Sequence, residues 1–315
     1  MVNLGTPDSP TTADVRRYLR TFLMDRRVVD LPAALWRPIL ELIILRVRPA
    51  KSAAKYASIW TPDGSPLLVH SRRQRDGLQA RLADVADVRL AMLIGQPSLM
   101  DVLDQLLAAK ASALIVPMYP QYSTTTVASV RDAVEAWQRR LPERHMDIDW
   151  LPEWFDDDGY IEACAHRVET AWQTTGRPDF AGGDKLLLSF HGLPVSVARR
   201  GDPYAGQCQT TAEHLRARLG LTDEQCPMTF QSKFGPGAWL TPATIETVTE
   251  LGQAGVRRLD VFCPGFAVDC LETDEEIGLL NRDAFLRAGG VEFHKIDCLN
   301  DDPVWLDALA RLVGM

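Results

Sequence analysis

No run of 18 apolar residues occurs in the chain, so nothing in it reads as a membrane-spanning helix. No GxGxxG follows the first strand-like segment, and no GxxxxGK with Ser or Thr after it occurs anywhere; Gly5 stands alone, and a phosphate cradle is excluded. No signal peptide precedes MVNLGTPDSP, which points to the cytoplasm. Cysteine is scarce. The six, at 164, 208, 226, 263, 270 and 298, form no CxxC pair, so a structural zinc site is not expected. A chain this long needs no disulfide staples, and reduced thiols follow. Positive charge is short as well: 34 Lys and Arg against 42 Asp and Glu leave a net charge of -8, which argues against nucleic acid as a partner.

What remains is globular in composition, 46% hydrophobic and 24% charged over 315 residues, enough for two compact domains. Val2–Leu4 reads as a short first strand, followed by a helix around Asp14 to Phe22. From Leu31 to Arg48 apolar residues face more than one side, edged by Arg37, Arg46 and Arg48. Such a segment suits packing, a membrane surface or an apolar substrate, with a core helix as the plain alternative. A turn at 61–66 precedes a helix from near Val69. Strands are then predicted at Val88–Ile94 and Ala113–Met118, with a helix at Met100–Ala111 between them. Hydroxyl residues 123–126 stand ready to cap the next helix. A boundary is expected between residues 142 and 143, giving domains 1–142 and 143–315. The rhythm restarts with helices at Tyr160–Thr175, Ala205–Leu219, Pro242–Ala254, Asp274–Arg287 and Pro303–Val313. Strands at Lys185–Phe190, Cys226–Gln231, Arg258–Pro264 and Val291–Ile296 alternate with them. The expected fold class is α/β, two similar doubly wound parallel-sheet (Rossmann-like) domains flanking a cleft.

Two strand ends carry chemistry. LSFHGLP at 188–194 delivers His191 to the carboxyl end of a buried strand, where open α/β sheets bind ligands. Imidazole, with an unperturbed pKa of about 6.5, is suited to taking a proton near neutral pH. Downstream, Asp269, Glu272, Asp274, Glu275 and Glu276 crowd one helix start. Glu272 and Glu276 are four apart and share a helix face. The helix N-terminus itself favours Asp274 and Glu275. It explains Glu272 less well, because Glu272 precedes the expected cap, Thr273. Carboxylates this close should raise one another's pKa, and with His191 they could attract a divalent cation. Gln231, Ser232, Lys233 and Trp239 follow another strand and suit a flat polar ligand. Arg26 and Arg27 make a patch fit for carboxylates or for solvent. His70, His145, His166, His214 and His294 share no spacing and read as structural or surface residues.

These segments and others resemble the ferrochelatases over nearly the whole chain. The resemblance is carried by VNLGTPDSP (2–10), FLMDRRVVDLP (22–32), GSPL (64–67), YPQYSTTT (119–126), LSFHGLP (188–194) and RGDPY (200–204). FQSKFGPGAWLTP (230–242), CPGFAVDCLET (263–273) and CLNDDPVW (298–305) continue it. It implies insertion of Fe2+ into protoporphyrin IX, the terminal step of haem synthesis, with the porphyrin gripped between the domains. By the same resemblance His191, Glu272 and Glu276 are catalytic, and His191 and Glu272 are the metal contacts. Leu4, Arg26, Arg27, Tyr122, Ser123, Gln231, Ser232 and Trp239 are substrate contacts. The apolar 31–48 segment matches the region that meets the inner membrane from its cytoplasmic face. Fe2+ is a substrate, so no resident cofactor is implied. With no cysteine after Cys298, no iron-sulfur cluster is expected.

The chain departs from the family pattern in two places. Leu93-Ile94 stands where relatives often have Arg-Tyr, and Leu280 where a further acidic residue is usual. Two alternatives therefore remain open: a chelatase of different metal or porphyrin preference, and a non-catalytic porphyrin or haem carrier. The oligomeric state, a monomer included, is not legible.

Overall fold

The computed structural model describes residues 1–140, 146–233, 235 and 237–314. Two compact units divide the chain. One holds residues 1–119, 123–152 and 312–315; the other holds 120–122 and 153–311. The boundary expected at 142/143 falls outside the described residues, as do His145, Phe234 and Pro236.

The first unit carries four parallel strands: β1 Val2–Gly5, β2 Ala91–Ile94, β3 Ala113–Ile115 and β4 Ile148–Trp150. β1 pairs with β2, and β3 with β4. A bridge between Val2 and Pro117 joins the pairs, closed by Val2 N–H to Val116 O at 2.8 Å and Met118 N–H to Val2 O at 2.9 Å. The order is β2-β1-β3-β4. Two predicted strands are shorter than expected. Ala113–Met118 keeps a regular ladder only to Ile115, because Pro117 brings no N–H to it. Val88–Ile94 pairs only from Ala91, although Val88 and Leu90 are buried. β4 was not anticipated; three residues with a half-exposed face carry too little alternation to read. The core gathers Val2, Ala91, Leu99, Leu103, Ile115, Val130, Val134 and Trp137.

The helical starts in this unit follow local chemistry. The helix Thr12–Met24 is capped by Thr11, whose hydroxyl accepts the Asp14 N–H. The helix Pro66–Arg81 starts three residues before the expected position. Ser65 caps it and Pro66 takes the first turn, where a missing N–H costs nothing. Before the helix Val127–Arg139, Ser123 and not the N-cap Thr126 makes the side-chain bond.

The apolar 31–48 stretch is not a core helix. It runs as an α-helix Ala33–Ile39, a π-turn Leu40–Ile44 and a second α-helix Leu45–Ile59. Leu40 and Leu45 are buried; Leu31, Leu35, Ile39, Leu42, Ile43 and Val47 are exposed, Leu35 to 65%.

The second unit repeats the topology. β5 Lys185–His191, β6 Met228–Gln231, β7 Arg258–Phe262 and β8 Glu292–Lys295 form one parallel sheet in the order β6-β5-β7-β8. In both sheets the first strand of the set lies between the second and the third. β6 begins two residues later than expected, because Pro227 interrupts the N–H ladder after Cys226. Leu187, Leu259, Val261, Cys263, Ile277, Phe285 and Phe293 pack one face of this sheet. Trp154, Tyr160 and Trp305 stack in another cluster, with the two indoles 4.9 Å apart. The helix expected at Asp274–Arg287 starts earlier and is wider: Glu272–Asn281 is a π-helix, and only Arg282–Arg287 is α-helical.

Gly5 ends β1 with φ at 108°, and a Cβ there would lie 1.7 Å from the Ile94 carbonyl oxygen. Both the backbone conformation and the β1–β2 spacing exclude a side chain. Gly5→Ala is expected to destabilise the first unit by at least about 2 kcal/mol, read as a lower denaturant midpoint at an unchanged slope.

Candidate functional site

The second sheet has its topological switch point between β5 and β7. The chain leaves β5 toward β6 on one side and crosses back to β7 on the other, the position at which open α/β sheets bind ligands. His191 is the last residue of β5 and lies directly opposite Gln231, the last of β6. The turn behind it must be tight. The Gly192 N–H bonds the Gln231 carbonyl at 2.7 Å, and a Cβ on Gly192 would stand 2.7 Å from that same oxygen. The Trp239 loop is tied to this turn through Val195 N–H to Ala238 O at 2.8 Å and Leu240 N–H to Leu193 O at 2.9 Å.

The imidazole is half-buried, and its centroid is 6.4 Å from the Phe266 ring. Nδ1 lies 2.7 Å from the Gly192 carbonyl oxygen. A carbonyl only accepts, so Nδ1 carries the proton in this contact. Neutral imidazole then presents Nε2 as an unprotonated base. The buried Tyr204 hydroxyl meets the His191 backbone.

The crowd of carboxylates near 269–276 resolves into two groups of opposite character. Asp269 is buried and accepts hydrogen bonds from Thr273 Oγ1 at 2.8 Å, Lys295 Nζ at 2.8 Å, Asn300 Nδ2 at 2.7 Å and Cys298 N at 3.1 Å. Burial alone would raise its pKa. The Lys295 charge and these bonds outweigh burial and hold Asp269 below its ordinary value, contrary to the mutual elevation expected from the sequence. Lys295 also reaches Asp274 at 2.7 Å and Asp297 at 3.1 Å. Asp274, partly buried and beside Asp269, is raised. This group ties the end of the loop after β7 to β8.

The second group is Glu272 and Glu276, the latter within the field of His191. Glu272 opens the π-helix; its backbone oxygen accepts Gln231 Nε2 at 2.7 Å, and its side chain meets the Cys270 thiol. The expected cap at Thr273 lies inside the helix instead, its hydroxyl accepting the Cys270 N–H at 2.9 Å. Glu276 is bonded at both carboxylate oxygens, by the Ser232 N–H at 2.7 Å and by Ser232 Oγ at 2.6 Å. Burial raises the Glu276 carboxyl above its ordinary value. The Ser232 bonds and the positive form of His191 act against that rise, and the Glu272 charge adds to it. His191 and Glu272 thus both act electrostatically on Glu276.

Behind these side chains lies a buried polar network with no counterpart in the sequence expectations. Gln231, 2% exposed, accepts Ser189 Oγ at 2.7 Å; Ser189 meets Thr244 at 2.8 Å, and Thr244 meets Thr229 at 2.9 Å. Its signal was available: Ser189 and Thr229 are lone hydroxyls inside otherwise apolar strands. Asn281 bonds the Glu276 carbonyl at 2.7 Å from within the same helix. Lys295 and Asn300, 26 and 31 residues from Asp269, gave no local signal of this pairing, although Asn300 lies within the CLNDDPVW segment.

The second unit therefore brings together His191, Gln231, Ser232, Trp239, Glu272 and Glu276. Of the remaining expected contacts, Tyr122 also belongs to the second unit. Tyr122 is held by its N–H on Gln207 Oε1 at 2.6 Å. Leu4, Arg26, Arg27 and Ser123 belong to the first unit. Leu4 is half-buried in β1 and Arg26 is exposed. Arg27 makes a bidentate pair with Asp132, its Nη2 at 2.8 Å from Oδ1. Ser123 is buried and bonded to Thr125 at 3.0 Å. All six cysteines are free and buried, and burial pushes each thiol up, which disfavours thiolate as nucleophile or metal ligand. Among the described residues, no three His, Cys, Asp or Glu side chains converge into a closed metal cage.

The fold is that of the chelatases. SirB from Bacillus subtilis with Fe3+ is similar at a TM-score of 0.57 and 14% identity, covering 80% of this chain and 91% of that one. The sirohydrochlorin chelatase SirB from Bacillus subtilis subspecies spizizenii in complex with cobalt is similar at 0.53 and 12%, covering 80% and 90%. At these identities the likeness is one of fold. A family model described as Ferrochelatase matches residues 1–315, and the chain belongs to the ferrochelatase family.

Removing the Lys295 charge strands Asp269 and Asp274 in a largely dry site. Lys295→Met is expected to cost about 3–5 kcal/mol near neutral pH. Asp269 is depressed, so its contribution is complete above the ordinary aspartate value of about 3.9 and is lost as pH falls through the lower folded value. The difference between variant and wild type in urea unfolding should therefore shrink below about pH 4.

Proposed function

We propose that the chain inserts a divalent metal ion into a porphyrin, releasing the two pyrrole protons. The observation carrying this reading is the arrangement at the β5 end: an imidazole whose Nδ1 is held on the Gly192 carbonyl, leaving Nε2 to exchange a proton, and Glu276, bonded by Ser232 and shifted toward proton acceptance by burial. A free porphyrin holds two N–H protons, and a metal cannot take four nitrogen ligands until both leave. In the proposed step His191 Nε2 accepts a pyrrole proton, and Glu276 and Glu272 accept or relay the other. The metal is a substrate that must leave with the product. Half-buried His191 and Glu272 offer it a transient nitrogen and oxygen contact.

Within that class, Fe2+ and protoporphyrin IX are the pair proposed from the family match along the whole chain. A second reading, a different metal or porphyrin preference, is favoured by two positions. Leu93, half-buried in β2, puts an apolar side chain where the resemblance leads one to expect an arginine. Leu280, exposed on the π-helix beyond Glu276, ends the acidic face early.

The exposed apolar side chains of 31–47 are proposed to meet the cytoplasmic face of the inner membrane. Arg37 and Arg46 in the same stretch suit anionic headgroups. No helix among the described residues is long and apolar enough to cross a membrane.

Anaerobic incubation with Fe2+ and protoporphyrin IX is expected to convert the free-base visible spectrum to that of the metalloporphyrin. Co2+, Ni2+ and porphyrins with more carboxylates test the second reading, and an unchanged spectrum with every pair would leave only a carrier. His191→Ala should abolish insertion while porphyrin still quenches tryptophan fluorescence; normal turnover by that variant would remove the assignment. In sedimentation with anionic vesicles, Leu42→Glu combined with Ile43→Glu should reduce the bound fraction at least about tenfold.

A further inference from the structure

We propose that Gln231 and Ser232, the residues at and just past the carboxyl end of β6, are positioning residues that clamp the acidic π-helix beside His191, and are not contacts to the macrocycle. The proposal rests on the chelatase reading. It departs from the substrate-contact role that the family resemblance gives these residues.

The first argument is the use of their polar atoms. The Gln231 side chain is buried, and both ends of its amide are engaged inside the protein. Nε2 donates to the Glu272 carbonyl at 2.7 Å, and Oε1 accepts from Ser189 Oγ at 2.7 Å and Cys263 Sγ at 3.5 Å. Ser232 gives its N–H to one Glu276 oxygen and its hydroxyl to the other. The two residues therefore hold the π-helix at two points one turn apart. Their strand holds His191 in register directly opposite Gln231. Base and carboxylates are thus set by a single strand pair.

The second argument is the backbone. Ser232 sits at φ 65°, a left-handed conformation that a serine adopts only where the surroundings hold it there. In that turn the N–H and Oγ of Ser232 both meet one carboxylate.

A π-helix gains little from its own geometry, since its turn is wide and rarely persists. Ten residues of it, Glu272–Asn281, need support from outside. The clamp supplies it at the N-terminal half, and the Asn281 side chain, bonded to the Glu276 carbonyl, closes it from the other end.

The test uses Ser232→Gly and Gln231→Leu in the full chain. Glycine accepts the left-handed backbone, so Ser232→Gly removes the hydroxyl bond without strain and stays informative even if Gln231→Leu folds poorly. Amide hydrogen exchange of residues 272–281 is read by mass spectrometry without ligand. The Kd for porphyrin comes from tryptophan fluorescence, and kcat from the metal and porphyrin that the wild type uses. Exchange in 272–281 is expected to quicken about tenfold and kcat to fall tenfold or more, with Kd within about twofold of wild type. A Kd weakened tenfold with exchange and kcat unchanged would overturn the proposal in favour of direct macrocycle contact. Unchanged exchange in Ser232→Gly would overturn it on its own. Because exchange needs no turnover, it decides the clamp even if the wild type inserts no metal, an outcome that would count against the chelatase reading alone.

Discussion

The pairing of His191 with Gln231 across β5 and β6 is the constraint on which the rest of the site depends. One ladder position fixes the imidazole on one strand and, on the other, the amide that holds the Glu272 carbonyl. Gly192 permits the approach, since any side chain there would push the strands apart at the point of pairing. The carboxylates are then carried on the following element, whose start is anchored separately by Asp269, Lys295 and Asn300. Asp269 and Asn300 are buried, Lys295 largely so, and their hydrogen bonds join them to one another. Such groups specify one arrangement because any slip leaves a charge or donor without a partner in a dry interior.

The electrostatic division of labour follows from burial and partners. Asp269 and Glu276 are both largely removed from water, yet they shift in opposite directions. Asp269 has a lysine ammonium at 2.8 Å and is fixed as an anion, a structural charge. Glu276 has serine donors and no lysine beside it, so desolvation prevails. A carboxyl raised in the fold costs stability at neutral pH and recovers it as pH falls through the raised value, the reverse of Asp269. Groups suited to moving protons are, in this sense, those the fold would sooner see neutral.

Much of this was legible before any coordinates, and the failures have definite causes. An imidazole leaving a run of Leu186, Leu187 and Leu188 at a glycine already marks a strand end in an open sheet. Glu272 and Glu276 at a spacing of four were expected on one face. The π-helical geometry was not legible, because α and π turns draw on the same residues and differ only in which carbonyl each N–H finds. Ser232 gave no sign of its left-handed backbone; serine is not a residue in which that conformation is expected. The strand ends at Pro117 and Pro227 were misjudged because apolar character continues through both prolines while the ladder does not. Lys295 and Asn300 show the limit of local reading, since their partner lies 26 and 31 residues away.

Both sheets place their first strand between the second and third, so the chain holds one topology twice. At the end of β5 the first copy's counterpart position, the end of β1, carries a glycine that cannot bear a side chain at all. A repeated architecture of this kind needs reactive groups in only one of its halves. The other half is then free to serve through its backbone frame alone.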